Sequence, residues 1–79
     1  MARVLLFGRL SDIAGWRERE FESPSIAGLR ARLASEDAVL GEALGAPGVQ
    51  VALDQAIVRG DAALTDRSEV AFLPPMSGG

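Results

Sequence analysis

The sequence predicts an α+β domain, with one mixed sheet of about five strands, one main helix and a second short helix. Three observations predict it. Apolar, strand-like runs stand near both ends, Val4-Leu5-Leu6-Phe7 and Glu69 to Leu73. Between them, Ile26, Leu29 and Leu33 share a single helical face. Further on, Val49, Val51 and Leu53 alternate with Gln50, Ala52 and Asp54, which is the period of a strand.

The first strand is expected over Arg3 to Phe7, and its unbroken apolar run suggests cover on both faces. A loop through Ser11-Asp12 and Ala14-Gly15 follows. Trp16 to Glu22 alternates charged and bulky residues, as a more exposed strand does, and the short link predicts a hairpin. Ser23-Pro24-Ser25 signals a helix start. Ser25 is the preferred N-cap, with Ser23 followed by Pro24 at the first helical position as the alternative. Arg30 and Arg32 fall off the apolar stripe, and Gly28 sits inside the helix at a cost of about 1 kcal/mol relative to alanine. Glu36 to Leu44 predicts the second helix, with Val39, Leu40, Ala43 and Leu44 as its apolar side and Gly45 as a left-handed stop. Gly45-Ala46-Pro47-Gly48 is a turn. Asp54-Gln55 makes a tight turn before a return strand that begins at Ile57-Val58. Gly60-Asp61 and Thr65-Asp66 are further turn signals. Glu69 to Leu73 is the last strand, and Pro74 ends it by removing a ladder donor.

The first and last strands are the most apolar, so they are expected side by side in the middle of the sheet. That arrangement is the β-grasp, or ubiquitin-like, fold. It assigns residues 1–73 to the domain and 74–79 to a flexible tail ending in Gly-Gly. Side chains alternate along a strand. If Val4, Leu6, Val70 and Phe72 face the helix, Leu5, Phe7 and Leu73 face away, and Ile57 joins them from the neighbouring hairpin. An apolar patch on an uncovered sheet face marks a docking surface. The alternative is that the second helix or a loop covers these residues.

The rest of the composition narrows the function. A chain of 79 residues fits one domain with a thin core. A net charge of −3 and pI near 4.7 argue against a nucleic-acid partner, and the arginines show no patch. No segment near the start is apolar enough for a membrane span, and Arg9 and Asp12 interrupt any signal peptide, so the protein is expected to be cytoplasmic. The chain has no Cys, His, Lys or Tyr. Disulfides, a thiolate or imidazole metal site, a Ser-His or Cys-His pair and a lysine Schiff base are thereby excluded. Paired carboxylates would need a cleft that so small a domain rarely has. A self-contained enzyme is not expected, and neither is a metal.

What remains is the closing stretch. Pro74-Pro75 biases the backbone toward extended polyproline II. Met76 and Ser77 lead to Gly78 and Gly79, which can thread a slot too narrow for larger residues. From Pro74 to Gly79 the reach is at most about 20 Å, at roughly 3.3 Å per residue. The carboxylate of Gly79 is the group such an arm could carry into a partner. An inert, frayed terminus is the plain alternative.

Phe72-Leu73-Pro74-Pro75-Met76-Ser77-Gly78-Gly79 resembles the ending of the molybdopterin synthase small subunit family, a group of β-grasp sulfur carriers. Val4-Leu5-Leu6-Phe7-Gly8, Val51-Ala52-Leu53-Asp54-Gln55 and Glu69-Val70-Ala71-Phe72 extend the resemblance over nearly the whole chain. The resemblance implies that an E1-like activating enzyme uses ATP to adenylate Gly79, and that a sulfur-donor protein then supplies the sulfur of a thiocarboxylate. It implies a large-subunit partner holding a cyclic pterin precursor, in a heterotetramer to which this chain contributes a non-catalytic sulfur-donor subunit. No cofactor would be bound by the chain itself. Phe7, Ile57 and Leu73 match the family's apolar partner contacts, beside Leu5. The sequence departs from the family pattern at Asp54, usually Asn, at Asp66-Arg67-Ser68, usually Asp-Gly, and at Leu73, usually a second aromatic. The thiamin-pathway sulfur carriers share Gly-Gly and the fold, and a ubiquitin-like modifier conjugated through Gly79 is a further reading. A plain interaction domain with an inert tail is the last.

Overall fold

The computed structural model describes residues 1–75. The strands are β1 (Ala2–Leu6), β2 (Glu18–Phe21), β3 (Gln50–Leu53), β4 (Ala56–Val58) and β5 (Glu69–Leu73). The helices are α1 (Arg9–Ala14), α2 (Ile26–Glu36) and α3 (Ala38–Leu44). One sheet of order β2-β1-β5-β3-β4 holds all the strands. The two most apolar strands are its central neighbours and run parallel, with Val4 beside Val70 and Leu6 beside Phe72. The other pairs are antiparallel. This is the β-grasp arrangement.

Alternation along β1 and β5 sorts the side chains as the sequence requires. Val4, Leu6, Val70 and Phe72 are 0–2% exposed and pack with Ile26, Leu29 and Leu33 of α2 and Leu40 and Leu44 of α3. β1 is covered on this face only, because a single helical layer cannot wrap both; Arg3 is exposed and Leu5 half-buried. The apolar run had suggested cover on both sides.

α2 begins where its cap predicts. Ser25 is in extended conformation, and its Oγ accepts from the Gly28 amide at 3.0 Å. Asp61 supports the same end by accepting from the Ala27 amide at 2.8 Å. Gly28 now has a reason, since a Cβ there would stand 3.0 Å from Ser23 Oγ and 3.3 Å from Ser25 Oγ. The helix ends at Asp37, which at once caps α3 by accepting from the Val39 and Leu40 amides, each at 3.1 Å. α3 therefore starts at Ala38 rather than Glu36. The two helices cross closely at Gly41, where a Cβ would lie 2.5 Å from that of Ala34.

Three local expectations change. The segment after β1 is α1, a helix of six residues, and not a loop. It buries Leu10 and is closed by Gly15 in left-handed conformation, φ 82°. β1 and β2 do pair antiparallel as expected, but across this helix instead of a loop. Gly45 stops α3 with φ −89°, so no left-handed cap forms; its amide donates to Glu42 O instead. Val39 is 66% exposed, leaving Leu40 and Leu44 as the buried side of α3.

Asp54 and Gln55 both have positive φ, 50° and 72°, as a two-residue hairpin between β3 and β4 demands. Asp54 also ties this turn to β5. Its amide donates to Glu69 O at 2.8 Å, and its Oδ1 accepts from the Glu69 amide at 2.9 Å.

Candidate functional site

The sheet face away from the helices is built by register. Leu5 stands beside Ala71, Ala71 beside Ala52, and Ala52 beside Ile57, so one row crosses β1, β5, β3 and β4. Leu5 and Ile57 end the row, about 14 Å apart at the usual strand spacing. The small alanines between them form the floor of a shallow trough. Leu5 is half-buried and Ile57 is 49% exposed.

A second apolar group lies toward the end of β5. The Phe7 amide donates to Phe72 O at 3.3 Å, and the parallel register continued by one step sets Phe7 level with Leu73. Phe7 is 44% exposed and Leu73 half-buried. The fold thus brings Leu5, Phe7, Leu73 and Ile57 to one face, and neither α3 nor a loop removes Phe7 or Ile57 from solvent.

The far half of the same face is charged. Arg3 Nε lies 2.9 Å from Glu18 on β2, and Arg3 Nη2 lies 3.8 Å from Glu69 on β5. Glu20 stands opposite Arg3 in the register. Charge gathers around the start of β1 and β5, with Glu18 of β2 beside Leu5, and the apolar surface lies where β1 and β5 end.

The tail leaves from the apolar half. Pro74 Cγ lies 3.2 Å from the point where a Cβ on Gly8 would stand, and Pro75 Cβ lies 2.9 Å from the same point on Gly48. Both glycines have positive φ, 55° and 88°, a backbone that side chains disfavour. The two prolines therefore rest on two loops that offer bare backbone. Beneath them, Leu10, Ile13, Ala43 and Val49 line a groove of about 140 Å³ that the prolines complete. Met76, Ser77, Gly78 and Gly79 lie outside the described residues.

Sequence reasoning missed these seats. Each joins residues far apart in the chain, and a lone glycine after a strand or in a turn gives no hint of what will lie on it. α1, which supplies Leu10 and Ile13 to the groove, was missed for its brevity.

Among the described residues, no group of three or more Asp, Glu, His or Cys is gathered as a metal ion would need. No helix among them is long and apolar enough to cross a membrane. Arg30 supports the core from behind. Its guanidinium lies 5.5 Å from the Phe72 ring centre, and Nη1 donates to Leu44 O at 3.2 Å.

The chain has relatives among known proteins. The chain is 33% identical over 81 residues to the molybdopterin synthase sulfur carrier subunit of Escherichia coli (strain K12), covering all of both chains. Among solved structures it is similar to small archaeal modifier protein 1 of Methanosarcina acetivorans. That match has a TM-score of 0.87 and 21% identity over 99% of this chain and 95% of the other. A Pyrococcus furiosus protein provisionally described as molybdopterin converting factor, subunit 1, matches with a TM-score of 0.80 and 25% identity. It covers 95% of this chain and 97% of that one. The archaeal modifier, at its lower identity, shows the shared ubiquitin-like fold alone. The model of the ThiS family matches residues 4–79, and with the full-length relative it settles the kinship first indicated by the closing motif: the chain belongs to the ThiS family.

Proposed function

We propose that this protein is a sulfur carrier and serves as the small subunit of a molybdopterin synthase. The observation that carries this reading is the match to the Escherichia coli sulfur carrier subunit over the full length of both chains, within a family match that runs through Gly79. In this reading residues 1–73 are the mount and 74–79 the arm.

The chemistry follows from what the chain lacks. A carboxylate is a poor electrophile, so the Gly79 carboxylate must first attack the α-phosphate of ATP on an activating enzyme. Pyrophosphate leaves and an acyl-adenylate forms. A sulfide equivalent from a donor protein then attacks the acyl carbon, AMP leaves, and a thiocarboxylate remains. With no cysteine in the chain, the sulfur has no other covalent resting place. In the large subunit the thiocarboxylate sulfur attacks a side-chain carbon of cyclic pyranopterin monophosphate, and a carbon–oxygen bond at that carbon breaks, its oxygen leaving, as the carbon–sulfur bond forms. Water then cleaves the acyl–sulfur bond, leaving sulfur on the pterin and returning the carboxylate. The chain supplies no acid, base or metal to these steps. Its contribution is docking through Phe7, Leu73, Ile57 and Leu5 and delivery of Gly79 along the narrow run Pro74, Pro75, Met76, Ser77 and Gly78.

The test is intact mass spectrometry after incubation with ATP, an activating enzyme and a sulfur source. Replacement of one oxygen by sulfur at the C-terminal residue is expected, followed by transfer when a large subunit and the pterin are added. Deleting Gly79, or adding a residue after it, leaves the thermal midpoint unchanged and abolishes charging. Conjugates to other proteins in place of the sulfur gain would assign the chain to the modifiers and refute the carrier reading.

A further inference from the structure

We propose that Gly48, which lies outside both the arm and the apolar face, is a positioning residue that sets the direction in which the arm leaves the domain. The proposal rests on the carrier reading above.

The observation is the seat itself. Pro75 Cβ lies 2.9 Å from where a Gly48 Cβ would stand, Pro75 Cγ 3.3 Å and Pro75 Cα 3.5 Å. A Cβ that close to another carbon is not tolerated, so a side chain at residue 48 must displace one partner. Gly48 is the partner less able to move. Its turn is bonded on both sides, with the Ala46 amide donating to Ala43 O at 3.2 Å and the Val49 amide donating to Ala46 O at 3.3 Å. β3 then pairs immediately, Gln50 beside Leu73. Pro75 lies beyond the end of β5, is exposed, and has no amide with which to join a ladder. The arm is what gives way.

A tilt at this root is magnified at the tip. Gly79 is four residues beyond Pro75, so an extended arm places it about 13 Å away, and a tilt of about 10° moves it about 2 Å. Misplacement by about 1 Å is enough to cost up to about 100-fold in rate. The seat at Gly8 is looser, at 3.2 Å from Pro74, and acts nearer the sheet. Gly8→Ala is therefore the milder change.

The test compares Gly48→Ala with wild type in two measurements. In the isolated protein, nuclear Overhauser contacts between Gly48 Hα and the Pro75 ring protons are expected; their absence overturns the proposal without touching the carrier reading. With the activating enzyme and ATP, Gly48→Ala binds the enzyme within twofold of wild type, while the maximal rate of adenylation at saturating carrier falls about tenfold or more. In a Pro75→Gly background, which removes the colliding atoms, Gly48→Ala lowers the rate no further. A wild-type maximal rate in folded Gly48→Ala, or an equal loss in the Pro75→Gly background, overturns the proposal. If Gly48→Ala does not fold, Gly48→Asn carries the same Cβ on a residue that better tolerates positive φ and takes its place. A wild-type chain that shows the contact yet is never adenylated refutes the carrier reading, and with it the role of Gly48.

Discussion

The two faces of the central strands are cut from the same sequence, one residue apart, and differ in what they are for. On the inner face Val4, Leu6, Val70 and Phe72 are almost wholly buried beneath α2 and α3. On the outer face Leu5 and Leu73 stay half-buried, and Phe7 and Ile57 keep nearly half their surface in solvent. The chemistry of the side chains is alike. The difference is that the inner set is consumed by folding while the outer set is left over. In so small a domain, apolar residues kept out of the core are what supports the docking role proposed for this face.

That contrast can be broken most sharply on the inner face. Phe72→Ala removes a ring that is fully buried and stacked by Arg30. It should lower unfolding free energy by about 3–5 kcal/mol in a urea titration, close to the whole stability of so small a domain. On the outer face Phe7→Asp should leave the urea midpoint almost unmoved and weaken binding to a large subunit or activating enzyme at least tenfold, the loss expected at a contact hot spot of about 2 kcal/mol. A large loss of stability instead would move Phe7 into the core and erase the contrast. A smaller change tests the layer that makes one face inner. Ser25→Ala deletes the α2 cap and should cost about 1 kcal/mol in the same titration. The smallest effect belongs to the charged half of the outer face. Arg3→Ala should alter stability by less than about 1 kcal/mol, and the difference should shrink further in high salt, because the ion pairs it breaks are half exposed.

Features governed by near neighbours or by period were legible in the sequence. β1, β5, the α2 stripe, the Ser25 cap and the Asp54-Gln55 turn all announce themselves within a few residues. The division of the outer face was legible in part, since alternation places Leu5 and Phe7 together, but the alanine floor between Leu5 and Ile57 needs the register of four strands. α1 was not legible because six residues are too few to display a helical period, and its bounding glycines read equally well as loop. Gly45 is not a left-handed cap, because α3 closes on its own last turn, where the Gly45 amide donates to Glu42 O. Least legible were the proline seats, where Gly8 meets Pro74 across most of the chain and Gly48 meets Pro75 across about a third of it.

The parallel pairing of β1 with β5 has a mechanical consequence. The arm continues directly from β5, so tension on it acts along the axis of that strand. A partner that grips the outer face while drawing in the arm loads the ladders on both flanks of β5 in shear, where many bonds share the force at once. Peeling, which breaks bonds singly, has no edge to start from, because β5 lies at the centre of the sheet. A carrier drawn in by its last residues, as proposed above, would thus resist being pulled apart.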